Sequence, residues 1–541
     1  GPASVASGFG FACLGEAFVE TLDQRMSRGG LFYGMNLLGA ALGVAAGGVW
    51  LPLWFGVTGA FQLAVAVQIS AGLFAWMLGR SAPSVPQTAA VPSACPQVAA
   101  PLGWIVLIAS GCLSLMAQTL LIVWVRQVME GSVYALCGVL AVFIFGLVLG
   151  SLAVAGLRRR GYRPLDLLAW AAGSSAFFLF FVPAVGEVVC LRDLALTAGT
   201  PSGMLGQAVW RCCLLLPIAF CLGGVFPAGW ELVQVRSGGH ARVLGAAVAV
   251  NKVAAGVGAL AAIFWILPVV GVARGAVAVG WGYLTLLTVA LCVLKARRRA
   301  FLLGGAVLLC GITQSVREQK ALGVPSDQRV IEARSGPYGP FVVMEDRGTG
   351  SRHILLNSRQ RLSGTGQALA SQRHQSWVPL LFCKEPRRVL TIGMAAGISA
   401  AAALDFPVKE LEAVELVPEV VDAARTHFGE WNAALFSDPR AKVTIGDGRH
   451  VLEQRGLWDA IVCDLFFPAE EGSALLYSKE FFALCRGHLT DGGVTCLWLP
   501  CYQHTPETAG MIVRTFADVF PCAMMVRANF DPFSPVMGLI G

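Results

Sequence analysis

The sequence predicts two regions of different fold class. The first is a polytopic α-helical membrane domain with an internal repeat, and the second is a doubly wound α/β domain, Rossmann-like and of methyltransferase type, with a small N-terminal β-hairpin module. Composition supports the first region, because the chain is 56% hydrophobic and only 13% charged, as membrane proteins are. Two observations support the second: a tight glycine turn after a strand-like run, and an alternation of strand-like and helix-like segments behind it.

Charge divides the chain close to residue 321. Residues 1–321 hold 20 Lys and Arg against 9 Asp and Glu, whereas residues 322–541 hold 20 against 24. The basic residues of the first part stand in short clusters between apolar runs, as the positive-inside rule expects, so the net charge of +7 does not indicate a nucleic-acid partner. We therefore predict a membrane domain at 1–321, a hairpin module with a connecting helix at 322–388, and the Rossmann-like domain at 389–541.

Apolar runs of about 20 residues predict about ten membrane spans in the first region, with the lipid bilayer as partner. They lie at residues 8–22, 31–50, 57–79, 102–124, 132–156, 165–185, 207–232, 243–268, 272–294 and 300–316. Residues 81–100, which are rich in Pro, Ala and Ser, are predicted to form a linker between two related units. If the short span 300–316 crosses the membrane, the second region lies outside; if it does not cross, that region is cytoplasmic.

An internal repeat is indicated by motifs that recur in the same order. Phe11–Gly15 recurs as Phe220–Gly224; Asn36, a small-residue span and Leu51-Pro52 recur as Asn251, a second small-residue span and Leu267-Pro268. Small residues let helices approach closely, and repeats of this kind build transporters as well as inert membrane scaffolds. Both possibilities remain open at this stage.

Lys252 is the deepest charge of the predicted spans. It follows Asn251, whereas the matching Asn36 is followed by Leu37. A charged residue inside a membrane favours a functional role, and the alternative is a snorkelling side chain or a structural ion pair. The sixteen cysteines include no C-x-x-C and no Cys/His group with zinc or haem spacing, so no metal site is predicted.

The second region begins with strand-like runs and turns at residues 329–358, which predict the β-hairpin module. Alternating segments then predict a mostly parallel sheet with helices on both faces. The predicted strands lie at 389–393, 411–416, 442–446, 459–464, 493–499 and 522–528, and the predicted helices at 396–404, 418–428, 478–489 and 507–520. Ligands of such sheets bind beyond the carboxyl ends of the strands.

The segment Val389–Ser399 predicts a strand, a turn with Gly393 and Gly397, and the start of a helix. Such glycines let a ligand approach the backbone, and a helix N-terminus favours anionic or polar groups. Carboxylates end the next three strands: Glu415, which stands 22 residues after Gly393, then Asp447 before Gly448, and Asp464. Each carboxylate could instead cap a helix, but their register with the glycine turn predicts one shared ligand site.

From about Val330 onward, the chain resembles the spermidine synthase (polyamine aminopropyltransferase) family. The resemblance rests on the turn Ser335–Gly339 and on the runs VLTIG, VELVPEVVDAAR, DPRAKVTIGDGRHVL and WDAIVCDLFFP. The apolar runs LFYGMNLLGAALG and GSVYALCGVLAVFIFGLVLGSLA resemble the multi-span part of bacterial membrane-fused members of that family. The resemblance implies a multi-pass protein of a bacterial inner membrane.

The resemblance also implies a reaction, in which decarboxylated S-adenosylmethionine gives its aminopropyl group to a small amine. Gly393 and Gly397 would then line the cofactor turn, Glu415 would hold the ribose, and Asp447 with Gly448 would face the adenine. Asp464 would be the catalytic aspartate, orienting the amine and taking its proton. Further substrate contacts are implied for residues near the family's other motifs, namely Gln360, His374 and Tyr477.

Several positions depart from the family pattern. Met394, Ala395 and Ala396 stand in a turn that carries an Asp and more glycines in the family, and Phe467 replaces the second aspartate. The family's Tyr-His-Glu is here Arg-His-Gln at 373–375, and Arg361 stands at a glutamine position with Gln360 one place early. Two main hypotheses follow: an aminopropyltransferase with a changed acceptor, or a pseudo-enzyme that serves as an assembly subunit with other membrane subunits. A methyltransferase and a transporter are further alternatives.

Overall fold

The structure is a computed structural model that describes residues 22–81, 99–128, 133–196, 214–233, 240–293, 298–316, 324–358, 360–464, 472–529 and 535–541. Several predictions fall outside these residues: the first span at 8–22 except Leu22, nearly all of the linker 81–100, the motif Phe11–Gly15, and Phe467. The chain divides into two compact units, one of residues 1–129 with 133–320 and one of residues 321–541 with 130–132.

The described residues of the N-terminal unit form nine α-helices, which overlap the remaining nine predicted spans. They are α1 Leu22–Ala45, α2 Leu51–Ser81, α3 Ala99–Val128, α4 Val133–Arg159, α5 Pro164–Leu196, α6 Leu216–Trp230, α7 His240–Ala261, α8 Leu267–Val293 and α9 Arg298–Val316. Five helical segments are long and apolar enough to cross a membrane: Trp54–Phe74, Pro101–Gln127, Leu136–Arg159, Pro164–Gly186 and Gly245–Val293. Four of these segments have 21 to 27 residues, enough to cross the hydrocarbon core of a bilayer once, and Gly245–Val293, with 49 residues, is long enough to cross it twice.

Two places in the N-terminal unit share an unusual backbone pattern. π-helical segments, Ala46–Trp50 and Ala262–Ile266, lead into α2 and α8, which both begin with Leu-Pro. Each of these helices is then kinked at a glycine of positive φ, Gly56 at 67° and Gly271 at 76°. Glycine adopts this conformation without the steric cost that a Cβ brings.

Small residues allow close approach where helices of the N-terminal unit cross. A Cβ added at Gly150 of α4 would collide with the carbonyl oxygen of Phe220 in α6, and one at Gly223 with the backbone of Leu147. The same holds between α7 and α3, where a Cβ on Gly258 would collide with the Cys112 carbonyl. These glycines therefore serve helix packing.

The C-terminal unit starts with a four-stranded antiparallel sheet in the order β1-β2-β3-β4. Its strands are β1 Gln328–Gly336, β2 Gly339–Asp346, β3 Arg352–Leu356 and β4 Gln360–Gly364, and α10 Ala368–Phe382 connects it to the next sheet. Its apolar face, including Phe341 and Ile354, packs with Val420 and Phe428. This core joins the hairpin module to the helices that follow.

The second sheet has seven strands in the order β10-β11-β9-β8-β5-β6-β7. β11 runs antiparallel to both neighbours and the other described pairings are parallel. The strands are β5 Arg388–Ile392, β6 Glu410–Glu415, β7 Ala441–Ile445, β8 Trp458–Cys463, β9 Leu489–Pro500, β10 Met524–Arg527 and β11 Val536–Ile540. This is a doubly wound sheet, and its strand order reverses between β5 and β8.

Helices cover both faces of the seven-stranded sheet. They are α11 Ile398–Ala402, α12 Pro418–His427, α13 Gly429–Ser437, α14 Gly448–Gln454, α15 Lys479–Gly487 and α16 Pro506–Val519. Two cores, one on each side, hold residues such as Leu390, Trp458 and Phe481, and Val389, Leu411 and Val421. The central strands are buried on both sides, as parallel strands usually are.

Candidate functional site

The candidate site lies where β5 and β8 end side by side. The backbone N–H of Asp464, just after β8, donates to the carbonyl of Ile392 at 3.0 Å, and Ile392 is the last residue of β5. Gly393 follows Ile392 and donates to the carbonyl of Val414 in β6 at 2.9 Å. The glycine turn and Asp464 therefore stand at the strand-order reversal, where such sheets bind ligands.

The turn from Gly393 to Gly397 alternates between ordinary and left-handed backbone. Gly393 has φ 84°, Ala395 φ 47° and Gly397 φ 76°. A Cβ at Gly397 would also lie 2.8 Å from a methyl carbon of Leu435. Gly397 is therefore required both by its dihedral angle and by its contact with α13.

Two of the three side chains of the turn, those of Met394 and Ala396, are buried in the protein core. Met394 is 1% exposed and packs with Leu380 and Val421, and Ala396 is fully buried with Phe341 and Val417. The turn thus carries no carboxylate of its own, and backbone groups form its polar surface.

Glu415 closes the turn. Its Oε2 accepts hydrogen bonds from the backbone N–H groups of Met394 at 3.1 Å and Ala395 at 2.9 Å, and its Oε1 accepts one from Val417 at 3.1 Å. The residue is only 8% exposed. Because a carboxylate offers about four acceptor positions, these three bonds leave about one position for a ligand hydroxyl while the turn keeps this conformation.

Asp447 and Gly448 have local structural roles at the end of β7. The Oδ1 atom of Asp447 accepts from the N–H of Arg449 at 2.9 Å, so Asp447 is the N-cap of α14. Asp447 is otherwise exposed. Gly448 is buried, and a Cβ there would collide with Ile392 of β5. A glycine at 448 therefore brings the start of α14 against the strand that leads into the turn.

The carboxylate of Asp464 is held by a residue of α11, the helix that follows the glycine turn. Ser399, in α11, donates through its Oγ to Oδ2 of Asp464 at 2.9 Å. The carbonyl of Ser399 accepts from the Ser376 hydroxyl of α10 at 2.5 Å. α10, α11 and β8 thus fix the orientation of the Asp464 carboxylate. No local sequence pattern marks Ser399 as a site residue, because its place opposite a strand-end acid is defined only by the fold.

Thiols next to Asp464 are buried. A hydrogen bond with Cys485 and burial raise the pKa of Cys463, and burial with the charge of Asp464 raises the pKa of Cys496. Thiols with raised pKa carry little thiolate at neutral pH and are poor nucleophiles. Among the described residues, no group of His, Cys, Asp and Glu has the arrangement of a metal site.

The three further substrate candidates lie on different elements. Gln360 is 7% exposed at the start of β4, and His374 is exposed on α10 with its ring 5.8 Å from that of Trp377. Tyr477 is 8% exposed, and its ring stands edge-on to His504 at 5.9 Å. Burial lowers the pKa of His504, so its imidazole is neutral at pH 7.

Comparison with known proteins identifies one family for the C-terminal unit. The family model for the spermine/spermidine synthase domain matches residues 370–533. A polyamine aminopropyltransferase of Corynebacterium efficiens is 30% identical over 337 residues, which cover 58% of this chain and 63% of that protein. One of Korarchaeum cryptofilum is 37% identical over 156 residues, which cover 29% and 48%. The chain thus spans less than two thirds of these curated relatives.

Solved structures give weaker similarities. A spermidine synthase in complex with the transition state analogue AdoDATO is 20% identical and covers 39% of this chain and 73% of its own, with a TM-score of 0.37. The spermidine synthase of Thermotoga maritima is also 20% identical and covers 39% and 72%, with a TM-score of 0.35.

Proposed function

We propose, from the premise that residues 370–533 of this chain form a spermidine synthase-like domain, that the protein is a membrane-anchored aminopropyltransferase. It would transfer the aminopropyl group of decarboxylated S-adenosylmethionine to a small amine. A bond forms between the amine nitrogen and the aminopropyl carbon, the bond from that carbon to the sulfonium breaks, and methylthioadenosine and a proton leave. Both substrates are proposed from the family of the domain.

The observation that carries this proposal is the position of Asp464. Its backbone bond to Ile392 and its side-chain bond to Ser399 place one carboxylate beside the glycine turn. An attacking amine must be neutral, and a positioned carboxylate can orient it and accept its proton. Holding the amine in line with the reacting carbon supplies much of the rate acceleration.

The remaining residues fit an adenosyl ligand in part. Gly393 and Gly397 leave the turn backbone open to a ligand, Glu415 keeps about one acceptor position for a ribose hydroxyl, and Asp447 with Gly448 borders the adenine side in this proposal. The amine would be contacted by residues drawn from Gln360, His374 and Tyr477. Phe467, which stands in place of a second acid, disfavours a diamine such as putrescine, because an ammonium group next to it would lack a counter-charge.

Transfer and ligand binding can be tested separately on the purified full-length chain in detergent. Calorimetry with methylthioadenosine measures binding, and mass spectrometry of methylthioadenosine released from decarboxylated S-adenosylmethionine, with a panel of amines, measures transfer. We expect Asp464→Asn to lower the transfer rate by about 10²–10⁴-fold, since that is the typical contribution of a general base. Methylthioadenosine binding should be retained.

Asp518→Asn is the matched control, because it makes the same chemical change at a carboxylate that is 64% exposed. Its transfer rate should equal that of the unchanged chain. An Asp464→Asn chain that still transfers at the original rate would contradict the assigned role. If the chain binds methylthioadenosine but forms product with none of the amines, the transferase proposal itself is contradicted.

The second candidate function is a catalytically inactive subunit that assembles with other membrane proteins. The observation that favours it is the turn, in which the buried Met394 and Ala396 stand where the family pattern has an Asp and more glycines. This candidate predicts no heat with millimolar methylthioadenosine. It also predicts co-purifying subunits, which an enzyme that works alone does not need.

The five long apolar helices support a multi-pass membrane location, and we propose the inner membrane of a bacterium. Protease accessibility of the C-terminal unit in sealed vesicles locates it on one side. A cytoplasmic position would give the domain access to cytosolic adenosyl substrates, whereas an external position would favour the assembly role.

A further inference from the structure

The N-terminal unit contains a partly open cavity of about 100 Å³ among α1, α3, α4, α6 and α7. This volume is several times that of one water molecule, so the cavity can hold a group of a few non-hydrogen atoms. Its lining is unusually polar for a unit this apolar. The polar lining residues are Ser110, Ser114, Gln118, Asn251 and Lys252.

Two of the polar lining residues, Asn251 and Ser110, already form hydrogen bonds within the unit. Nδ2 of Asn251 donates to the carbonyl of Leu107 at 2.8 Å and to Oγ of Ser110 at 3.2 Å. The hydroxyl of Ser110 donates to the same carbonyl at 3.0 Å. Asn251 is 9% exposed, and a Cβ at Gly111 would collide with its backbone carbonyl. This contact joins α7 to α3 and forms one wall of the cavity.

The other three polar residues have no partner within the part of the chain that the structure describes. Ser114, Gln118 and Lys252 form no hydrogen bond or ion pair there, although all three line the cavity. Glu231, an acid of the same unit, is already paired with Arg158. A charged or polar group in an apolar environment is costly unless it is paired, so these three side chains indicate a ligand that accepts hydrogen bonds and carries negative charge.

We propose that this cavity binds a small oxyanion group, with Lys252 as its counter-charge and Ser114 and Gln118 as hydrogen-bond donors to its oxygens. Phosphate oxygens suit this set, because an ammonium group and neutral donors bind them by charge-assisted hydrogen bonds. Lys252 is exposed as well as lining the cavity, which gives a ligand a route in. The oxyanion can be the phosphate of an anionic lipid or a free phosphate in solution.

The same charge argues against a cationic ligand. A polyamine entering the cavity would meet Lys252 at close range with no described carboxylate among the lining residues to compensate. Like charges at short distance in an apolar environment repel strongly. The cavity is therefore distinct in its chemistry from an amine site.

A comparison of Leu37 with Lys252 indicates that Lys252 is the side chain that makes the cavity selective for anions. It follows Asn36 as Lys252 follows Asn251, and it lines the same cavity from α1. The two sequence motifs thus contribute one apolar and one cationic residue to a single space. Lys252 is the only cationic residue among the described lining residues, so neutralising it should weaken anion binding without changing the apolar wall.

The test uses the full-length chain in neutral detergent. Its thermal unfolding midpoint is measured with phosphatidylglycerol against phosphatidylcholine, and with inorganic phosphate against chloride at equal ionic strength. Binding to the folded state raises the midpoint. A rise with phosphatidylglycerol alone would support a lipid phosphate as the occupant, and a rise with inorganic phosphate would support a free one.

Variants identify the site. Lys252→Gln should lower the affinity about tenfold or more, as expected for losing a hydrogen bond to a charged group, and Lys252→Arg should retain most of it. Arg163→Gln is the matched control, because it removes one positive charge at an exposed arginine between α4 and α5. It should leave the ligand-induced rise of the unfolding midpoint unchanged.

The proposal is overturned if neither phosphate source raises the midpoint, or if Lys252→Gln keeps the full shift. Should that variant fail to accumulate, Gln118→Leu replaces it, because it keeps the charge and removes one donor. We expect Gln118→Leu to weaken binding about threefold to tenfold, and an undiminished affinity would also overturn the proposal. None of these outcomes depends on transferase activity.

Discussion

Ala395 is the residue of the candidate site whose backbone departs most from ordinary preference. Its φ of 47° lies in the left-handed region, where a residue with a Cβ costs roughly 1–2 kcal/mol. The hydrogen bond from its N–H to Glu415 holds it there. Strain of this kind persists only when the surroundings impose it, and it is often found at ligand sites.

We expect Ala395→Gly to stabilise the C-terminal unit by up to about 1 kcal/mol, because relief of strain exceeds the added chain entropy of glycine in the unfolded state. In scanning calorimetry of the full-length chain, the C-terminal transition should rise by about 2–4 °C. The opposite exchange in the same turn, Gly397→Ala, should lower that transition, since its Cβ meets Leu435 at 2.8 Å. A fall in the transition of Ala395→Gly would show that the turn is not strained.

His353 makes the hairpin module sensitive to pH. Burial, together with the positive charge of Arg361, lowers the pKa of its imidazole to about 4. The ring occupies the space that a Cβ of Gly364, its partner on β4, would take. Because this pKa lies below the unfolded value of about 6.5, the neutral ring's contribution to stability is complete above pH 6.5 and is lost as the pH falls towards 4.

Between pH 7 and pH 4.5, we expect protonation of His353 to lower the free energy of unfolding of the C-terminal unit by about 1–2 kcal/mol. The smaller value applies if solvent screens the ring. His353→Gln should remove that part of the pH dependence. Melting curves of both chains across this range measure it. Equal slopes for the two chains would mean that His353 has the same pKa in the folded and unfolded states.

At the scale of elements, α4 and α6 show how sequence composition becomes helix packing. Gly146 and Gly150 of α4 face Ala219 and Phe220 at the start of α6, and a Cβ on either glycine would be too close. Attraction between helices in lipid comes from close packing, because lipid removes the hydrophobic driving force. The small residues of these helices are therefore structural contacts.

We expect Gly150→Ala to destabilise the N-terminal unit by about 1–3 kcal/mol, the usual cost of overpacking, because its Cβ would strike the backbone carbonyl of Phe220. Gly156→Ala in the same helix is the matched control, since nothing lies within 4 Å of its Cβ. The measurement is the fraction of chain that stays monodisperse in detergent after heating. Equal loss in both variants would contradict the close contact between α4 and α6.

At the scale of the whole molecule, the chain joins a unit whose described residues include five candidate spans to a spermidine synthase-like domain. The match to the Corynebacterium protein covers 58% of the chain, which is more than residues 321–541 comprise. Part of that match therefore falls in the N-terminal unit. The internal repeat stays a prediction; a π-helical segment precedes both Leu-Pro motifs, at the starts of α2 and α8.

Local sequence patterns were sufficient for the central strands and the longer helices of the C-terminal unit. The predicted ends of the central strands and of α12 and α16 lie close to the observed ones, because apolar runs, prolines and cap residues act over a few residues. The short helices α13 and α14 were not predicted as helices. Each lies between elements with stronger patterns, and α14 begins just after its N-cap Asp447, for which the sequence left both a helix cap and a ligand contact open.

The sequence by itself determined the division into apolar and mixed regions, the glycine turn, and the strand-end position of Glu415, Asp447 and Asp464, since these depend on composition and on periodicity along the chain. Tertiary structure alone decided what two of these acids contact: Glu415 binds the turn and Asp464 meets Ser399, whereas the cap that Asp447 forms on α14 is a local contact. It also decided that Lys252 shares a cavity with Ser114 and Gln118. The physical reason is that hydrogen bonds and cavities join residues far apart in the chain, and no local pattern specifies which donors and acceptors will meet.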